Sequence, residues 1–234
     1  MYASPLLFIF LFFLIVSWIV SSKLKSKFKA YSKVPINYGM TGAEVAQKML
    51  RDNGLMNIQI NAVQGSLSDH YNPTDRTINL SPDVYHGRSV AAAAVAAHET
   101  GHAIQHANSY SLLEFRSALV PLQNVSAKLL NIIFIAMFFG AFALPGLLSF
   151  DLALQIIIAC YGIFTLAAFV TLPVEIDASR RALVWLKTAG ITSHDTYGKA
   201  KDALKWAAYT YVVAALSALA TLLYYVMIFL GNRD

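Results

Sequence analysis

The sequence predicts a mainly α-helical membrane protein with about four transmembrane helices and a small α+β domain on the cytoplasmic side. Three observations carry this. The 234-residue chain is 57% hydrophobic and only 13% charged, with a mean hydropathy of +0.53, where an ordinary soluble domain carries about 25% charged residues. Four runs, 5–22, 129–148, 152–173 and 206–230, approach or exceed the roughly 20 apolar residues that cross a bilayer. Between the first two runs lies a polar stretch with both helical and alternating apolar patterns.

The first run lacks a basic segment before it and a small-x-small cleavage site after it. Lys23, Lys25, Lys27, Lys29 and Lys33 follow instead. That is the pattern of an uncleaved anchor whose C-terminal side is held inside. Of 18 Lys and Arg, 17 fall in 23–128 and 174–205, and the turn at Pro145-Gly146 has none. The positive-inside rule then puts the N-terminus outside and both basic segments in the cytoplasm. An integral, multi-pass location in a plasma membrane is expected. The expected organisation is an anchor at 1–22, a cytoplasmic domain at 23–118, a transmembrane hairpin at 119–173, a cytoplasmic segment at 174–205 and a last transmembrane helix at 206–234. The lysine cluster fits anionic headgroups. Nothing aromatic interleaves it, so no nucleic-acid partner is expected. Cys160, the single cysteine, permits no internal disulfide and reads as a small buried hydrophobe.

Within the polar stretch, Thr41-Gly42-Ala43-Glu44 is a capping box and Asn53-Gly54 a stop, giving a helix over 42–53. Residues 58–63 alternate as a half-buried strand does. Residues 66–71 and 76–80 flank Asn72-Pro73-Thr74-Asp75 and read as a hairpin. Together these strands predict a short antiparallel sheet. Ser89 is an N-cap for a helix from Val90 to about Ala107, rich in alanine.

That helix carries His98-Glu99-Thr100-Gly101-His102, an H-E-x-x-H pattern. One helical turn apart, the two imidazoles project from one face and converge on a single cation, and Glu99 can take a proton from a metal-activated water. Chance alone gives roughly 0.003 such matches in a chain of this composition. Catalytic zinc needs a third protein ligand. His106 lies a further turn along, but ligands at 98, 102 and 106 on one straight helix would span about 12 Å. The stronger candidate is Glu175, one of only four glutamates, directly after the third apolar run and on the same predicted side as His98.

These residues resemble the gluzincin arrangement, H-E-x-x-H with a later Glu. Glu175-Ile176-Asp177-Ala178-Ser179-Arg180-Arg181-Ala182 is similar to the E-x-x-A-D-x-x-A segment of HtpX-type membrane metallopeptidases, with Ser179 standing where that pattern has Asp. A closer likeness is to the bacterial YugP-like neutral zinc metallopeptidases. Asp69-His70-Tyr71, Arg88-Ser89, the motif itself and Leu172-Pro173-Val174-Glu175 carry it, and it covers about 35–205. The resemblance implies a zincin-like domain and a zinc-dependent endopeptidase embedded in the membrane. One zinc per chain on His98, His102 and Glu175 is expected, with Glu99 activating the zinc-bound water. Substrates would be peptides or membrane proteins.

Asp177, Arg180, Arg181, His194, Tyr197 and His70 are candidates to orient a ligand or stabilise the oxyanion. The strand residues Thr77, Ile78 and Asn79, or their hairpin partner, are candidates to pair with substrate backbone. The alternative is a binding or chaperone-like membrane protein with a structural zinc. Such sites are usually closed by four ligands, often cysteine, and Cys160 is poorly placed for that. A transporter would put ionisable residues inside the spans, where 129–173 has almost none.

Overall fold

The computed structural model describes residues 5–143 and 149–232. It forms two compact units, one of Met1–Trp18, Phe115–Leu172 and Tyr211–Asp234, the other of Ile19–Glu114 and Pro173–Thr210.

The first unit is built from long helices: α1 (Pro5–Tyr31), α5 (Ser111–Ala143), α6 (Phe150–Thr188) and α7 (His194–Gly231). Each contributes residues to both units. All four include a stretch long and apolar enough to cross a membrane, in line with the four runs read from the sequence. The helices outrun those runs. α1 continues through Lys23, Lys25, Lys27 and Lys29 to Tyr31, and α5 starts 18 residues ahead of position 129. Lysine and serine do not stop a helix, and α5 and α6 carry Pro121 and Pro173 inside them. Leu130, Ile133, Ala153, Ile157 and Cys160 form the buried core of this unit. The expected turn at Pro145-Gly146 lies outside the described residues.

The second unit holds α2 (Gly42–Asp52), β1 (Gln59–Ala62), β2 (His70–Asn72), β3 (Thr77–Leu80), α3 (Pro82–Tyr85) and α4 (Val90–Ala107). α2 starts where the sequence places it. Thr41 N–H donates to Glu44 Oε2 at 2.7 Å, and Glu44 N–H donates to Thr41 Oγ1 at 3.2 Å. It stops before Asn53, with Gly54 at φ +73°. Ser89 Oγ accepts from Ala92 N–H at 3.2 Å and opens α4.

The sheet corrects two expectations. Its order is β1-β3-β2, with β2 antiparallel to β3 as the hairpin requires, but β1 parallel to β3. The hairpin folds back so that β3 inserts beside β1. Apolar alternation reports which face is buried, not strand direction, so the sequence pattern could not reveal this. β3 is therefore the central strand. Thr77, Ile78 and Asn79 are buried and their strand is flanked on both sides, so they cannot offer a free edge to substrate. Their partner β2 is an edge strand. A one-turn helix, α3, also stands where the sequence suggested only a stop at Ser81-Pro82; Pro82 sits in its first turn, where a missing N–H costs nothing.

The core joins α2 (Val45, Ala46, Met49, Leu50), β3 (Ile78, Leu80), the alanines of α4, and Ala182, Leu186, Ile191 and Leu204. α2 packs on α4, and the small side chains of α4 allow that approach.

Thr41→Ala removes one half of the capping box and should cost about 1 kcal/mol of local stability. Hydrogen exchange should quicken in the amides of Val45 to Leu50 while those of α4 hold their protection.

Candidate metal centre

α4 is buried almost all round. Its partly open positions in the middle are Val95 and His98, beside the buried Glu99 and His102. Against this face runs α6, and the crossing is close at one point. A Cβ on Gly101 would lie 2.7 Å from the Ala178 carbonyl oxygen and 3.2 Å from the Ala178 Cα. Only glycine admits the α6 backbone there. On α6, Val174, Ala178, Ala182 and Leu186 recur every fourth residue and are all fully buried. This stripe seats the helix, and Glu175 and Ser179 follow one residue behind its members.

The crossing gathers His98, His102 and Glu175. Each offers a donor atom, and these lie within 4.8 Å of one another. Glu175 Oε2 is 3.2 Å from His98 Nε2 and 3.6 Å from His102 Nε2. Ligands about 2.1 Å from a tetrahedral zinc stand about 3.4 Å apart, so the donor set and its spacing fit that ion. The imidazole rings meet edge to face, with centroids 4.8 Å apart at 81°.

Each ring has a partner behind it. Ser179 Oγ is 3.1 Å from His98 Nδ1. Gln105 Oε1 is 3.0 Å from His102 Nδ1. Gln105 Nε2 in turn donates at 2.9 Å both to the Val174 carbonyl and to Asp177 Oδ2. Asp177 also accepts from Arg180 at 2.7 Å and Arg181 at 2.5 Å.

Electrostatics favour positive charge at the centre. Burial raises the Glu175 carboxyl, but the hydrogen bonds and charge of His102 and His98 outweigh it and hold the group well below the usual carboxylate range. Burial lowers the imidazolium tendency of His102, and Glu175 together with the charge of Glu99 reverses that, so it protonates more readily than a free imidazole. Asp177 is raised by burial yet brought down to about 2 by Gln105, Arg181 and Arg180.

The other sequence candidates fall elsewhere. Arg180 and Arg181 are engaged by Asp177. His194 is fully exposed at the start of α7, beside Asp195 at 3.7 Å. Tyr197 packs its ring under Lys187. His70 is tied into the sheet, its Nδ1 donating to the Ser68 carbonyl at 2.8 Å while Asn79 donates to its Nε2 at 3.2 Å. His106 is hydrogen-bonded to the Tyr71 hydroxyl at 2.8 Å, which links β2 to α4. Two site residues escaped sequence reasoning. Gln105 is three residues past His102 and Ser179 four past Glu175, the helical spacings that put a side chain over its neighbour.

Two histidines of an H-E-x-x-H helix and a glutamate from a second helix are a donor set that could hold a metal ion, and the described residues include four helices long and apolar enough to cross a membrane. Comparison with known proteins agrees. Residues 6–230 match the family described as "putative neutral zinc metallopeptidase", and the chain belongs to that family. It is 41% identical over 232 residues to the "Putative membrane protease YugP" of Bacillus subtilis (strain 168), covering 98% of this chain and 99% of that protein. No solved structure matches the chain.

Gly101→Ala should separate α4 from α6. Zinc content of the purified protein should fall by well over half. Circular dichroism should keep its helical signal, because the long helices do not depend on this crossing; a variant with full zinc would show that the crossing tolerates a methyl group.

Proposed function

We propose that this chain is a membrane-embedded zinc endopeptidase that hydrolyses peptide bonds at the cytoplasmic membrane face. The observation that carries the reading is the placement of one Glu175 oxygen 3.2 and 3.6 Å from the Nε2 atoms of His98 and His102. His98, His102 and Glu175 are the ligands of one zinc ion. When bound, zinc supplies Lewis acidity to the attacking water and the scissile carbonyl.

Glu99 does the proton chemistry. It lies next to His98 on α4 and is buried to 8% exposure. Its carboxylate accepts the proton that the attacking water loses, then delivers it to the departing amine nitrogen. Ser179 and Gln105 hold the two imidazoles from behind. β2, an edge strand in contact with α4 through Tyr71 and His106, is the element on which an extended substrate would add. Backbone pairing of that kind gives broad sequence tolerance. The substrate class is then peptide segments, free or belonging to membrane proteins, that can reach an extended form near the bilayer.

The organisation that follows has the anchor at 1–22, the catalytic domain at 23–118 with the segment 174–205, the hairpin at 119–173 and the last span at 206–234. The distribution of 17 of 18 basic residues supports it.

Detergent-purified wild type should bind one zinc and cleave casein. Glu99→Gln should keep the metal and lose activity by about a hundredfold or more. Glu175→Ala should lose the metal; full zinc in that variant would place the third ligand elsewhere. The side of the membrane is read separately. Asp75→Cys, in a Cys160→Ser background, should resist an impermeant maleimide in intact cells and react after lysis. Labelling of intact cells would reverse the topology.

A further inference from the structure

The cation site uses the Nε2 atoms of both histidines, yet an amide with no surface exposure, Gln105, stands behind one of them. Its carboxamide has one end that only donates and one that only accepts. The nitrogen lies 2.9 Å from the Val174 carbonyl oxygen and 2.9 Å from Asp177 Oδ2, which are both acceptors. Turned over, the amide would set its oxygen against two other oxygens in a buried place, at the cost of two hydrogen bonds. The orientation is therefore fixed, and Oε1 faces His102 Nδ1 at 3.0 Å.

An oxygen that can only accept requires a hydrogen on the atom it faces. A neutral imidazole has one such proton. We propose that the chain Asp177–Gln105–His102 is a positioning relay that holds the His102 proton on Nδ1 and so leaves the Nε2 lone pair directed at the cation. Arg180 and Arg181 anchor its far end through Asp177. The inference rests on the reading of His102 as a zinc ligand. It assigns to Gln105 and Asp177 a task that neither performs by touching metal or substrate. It also explains why His98 and His102 need different supports. The Ser179 hydroxyl at His98 can donate or accept, whereas the Gln105 oxygen cannot donate.

The test is the zinc dissociation constant of the full chain in detergent, stripped of metal and titrated against a chromophoric chelator. Gln105→Leu should weaken binding by about 10- to 100-fold, the usual loss when the partner of a ligand imidazole is removed. The decisive variants exchange the ends of the relay. Gln105→Glu alone sets a new carboxylate against Asp177 and the Val174 carbonyl, and should weaken binding as well. Adding Asp177→Asn restores a donor–acceptor pair between the two positions while an oxygen still faces His102, and the part-exposed Arg181, which donates to the same Asp177 oxygen, turns to solvent. The double variant should then recover about tenfold over Gln105→Glu. A role in packing alone predicts that the second substitution adds to the damage.

A double variant no better than Gln105→Glu overturns the relay, as does a Gln105→Leu protein within about threefold of wild type. Should Gln105→Leu fail to fold, the two near-isosteric variants decide. Wild type that takes up no zinc would sink the ligand assignment itself, and the relay with it; wild type that binds zinc beside an indifferent Gln105→Leu sinks only the relay.

Discussion

The candidate metal centre depends on one close approach, that of α6 to α4 at Gly101 and Ala178. An H-E-x-x-H helix can present two imidazoles unaided, because helical spacing alone sets them on one face. It cannot supply the third donor. That donor comes from a helix 77 residues further on, and the backbones must nearly touch for a side chain as short as glutamate to reach both rings. The absent side chain of Gly101 makes room, and the stripe Val174, Ala178, Ala182 and Leu186 makes the contact flat. Position 101 is therefore not free to vary, although it bears no reactive group.

The crossing also sorts the polar groups of α6 to either side of that stripe. Glu175 and Ser179 go to His98, and Asp177 goes to Gln105. Burying a carboxylate to 2% exposure is costly unless charge and hydrogen bonds offset it. Here two imidazoles lie within 3.6 Å of Glu175. Asp177 is offset by two guanidinium groups instead. Arg180 and Arg181 are thus occupied with Asp177, while the charges of Glu175 and Glu99 act on His102.

The parts of this arrangement legible in the sequence are those set by local rules. The capping box at Thr41 and Glu44, the cap at Ser89, the bounds of α4 and the hairpin turn each follow from a few adjacent residues. Glu175 was legible for a different reason, as a charge at the end of an apolar run in a chain with few glutamates. What was not legible needs knowledge of which elements meet. Strand alternation is the same in parallel and antiparallel pairs, so the direction of β1 was hidden, and with it the central place of β3. Gln105 has no local signature of a support for His102. Its role depends on Val174 and Asp177, about seventy residues away.

The departure at Ser179 acquires a physical sense in this setting. In the pattern that this segment resembles, an aspartate stands four residues after the ligand glutamate. Here the residue at that place is a hydroxyl, 3.1 Å from His98 Nδ1. A carboxylate bonded straight to a ligand imidazole makes it more basic, and a hydroxyl does so less. The carboxylate of Asp177 stands two residues earlier and acts on the other histidine, through a neutral amide. Neither imidazole is thus in direct contact with a carboxylate at its Nδ1. Glu175 puts its negative charge on the Nε2 side, and a cation bound there would meet less competition from charge behind the two imidazoles. That distribution suits an ion that must stay electrophilic enough to act on a carbonyl.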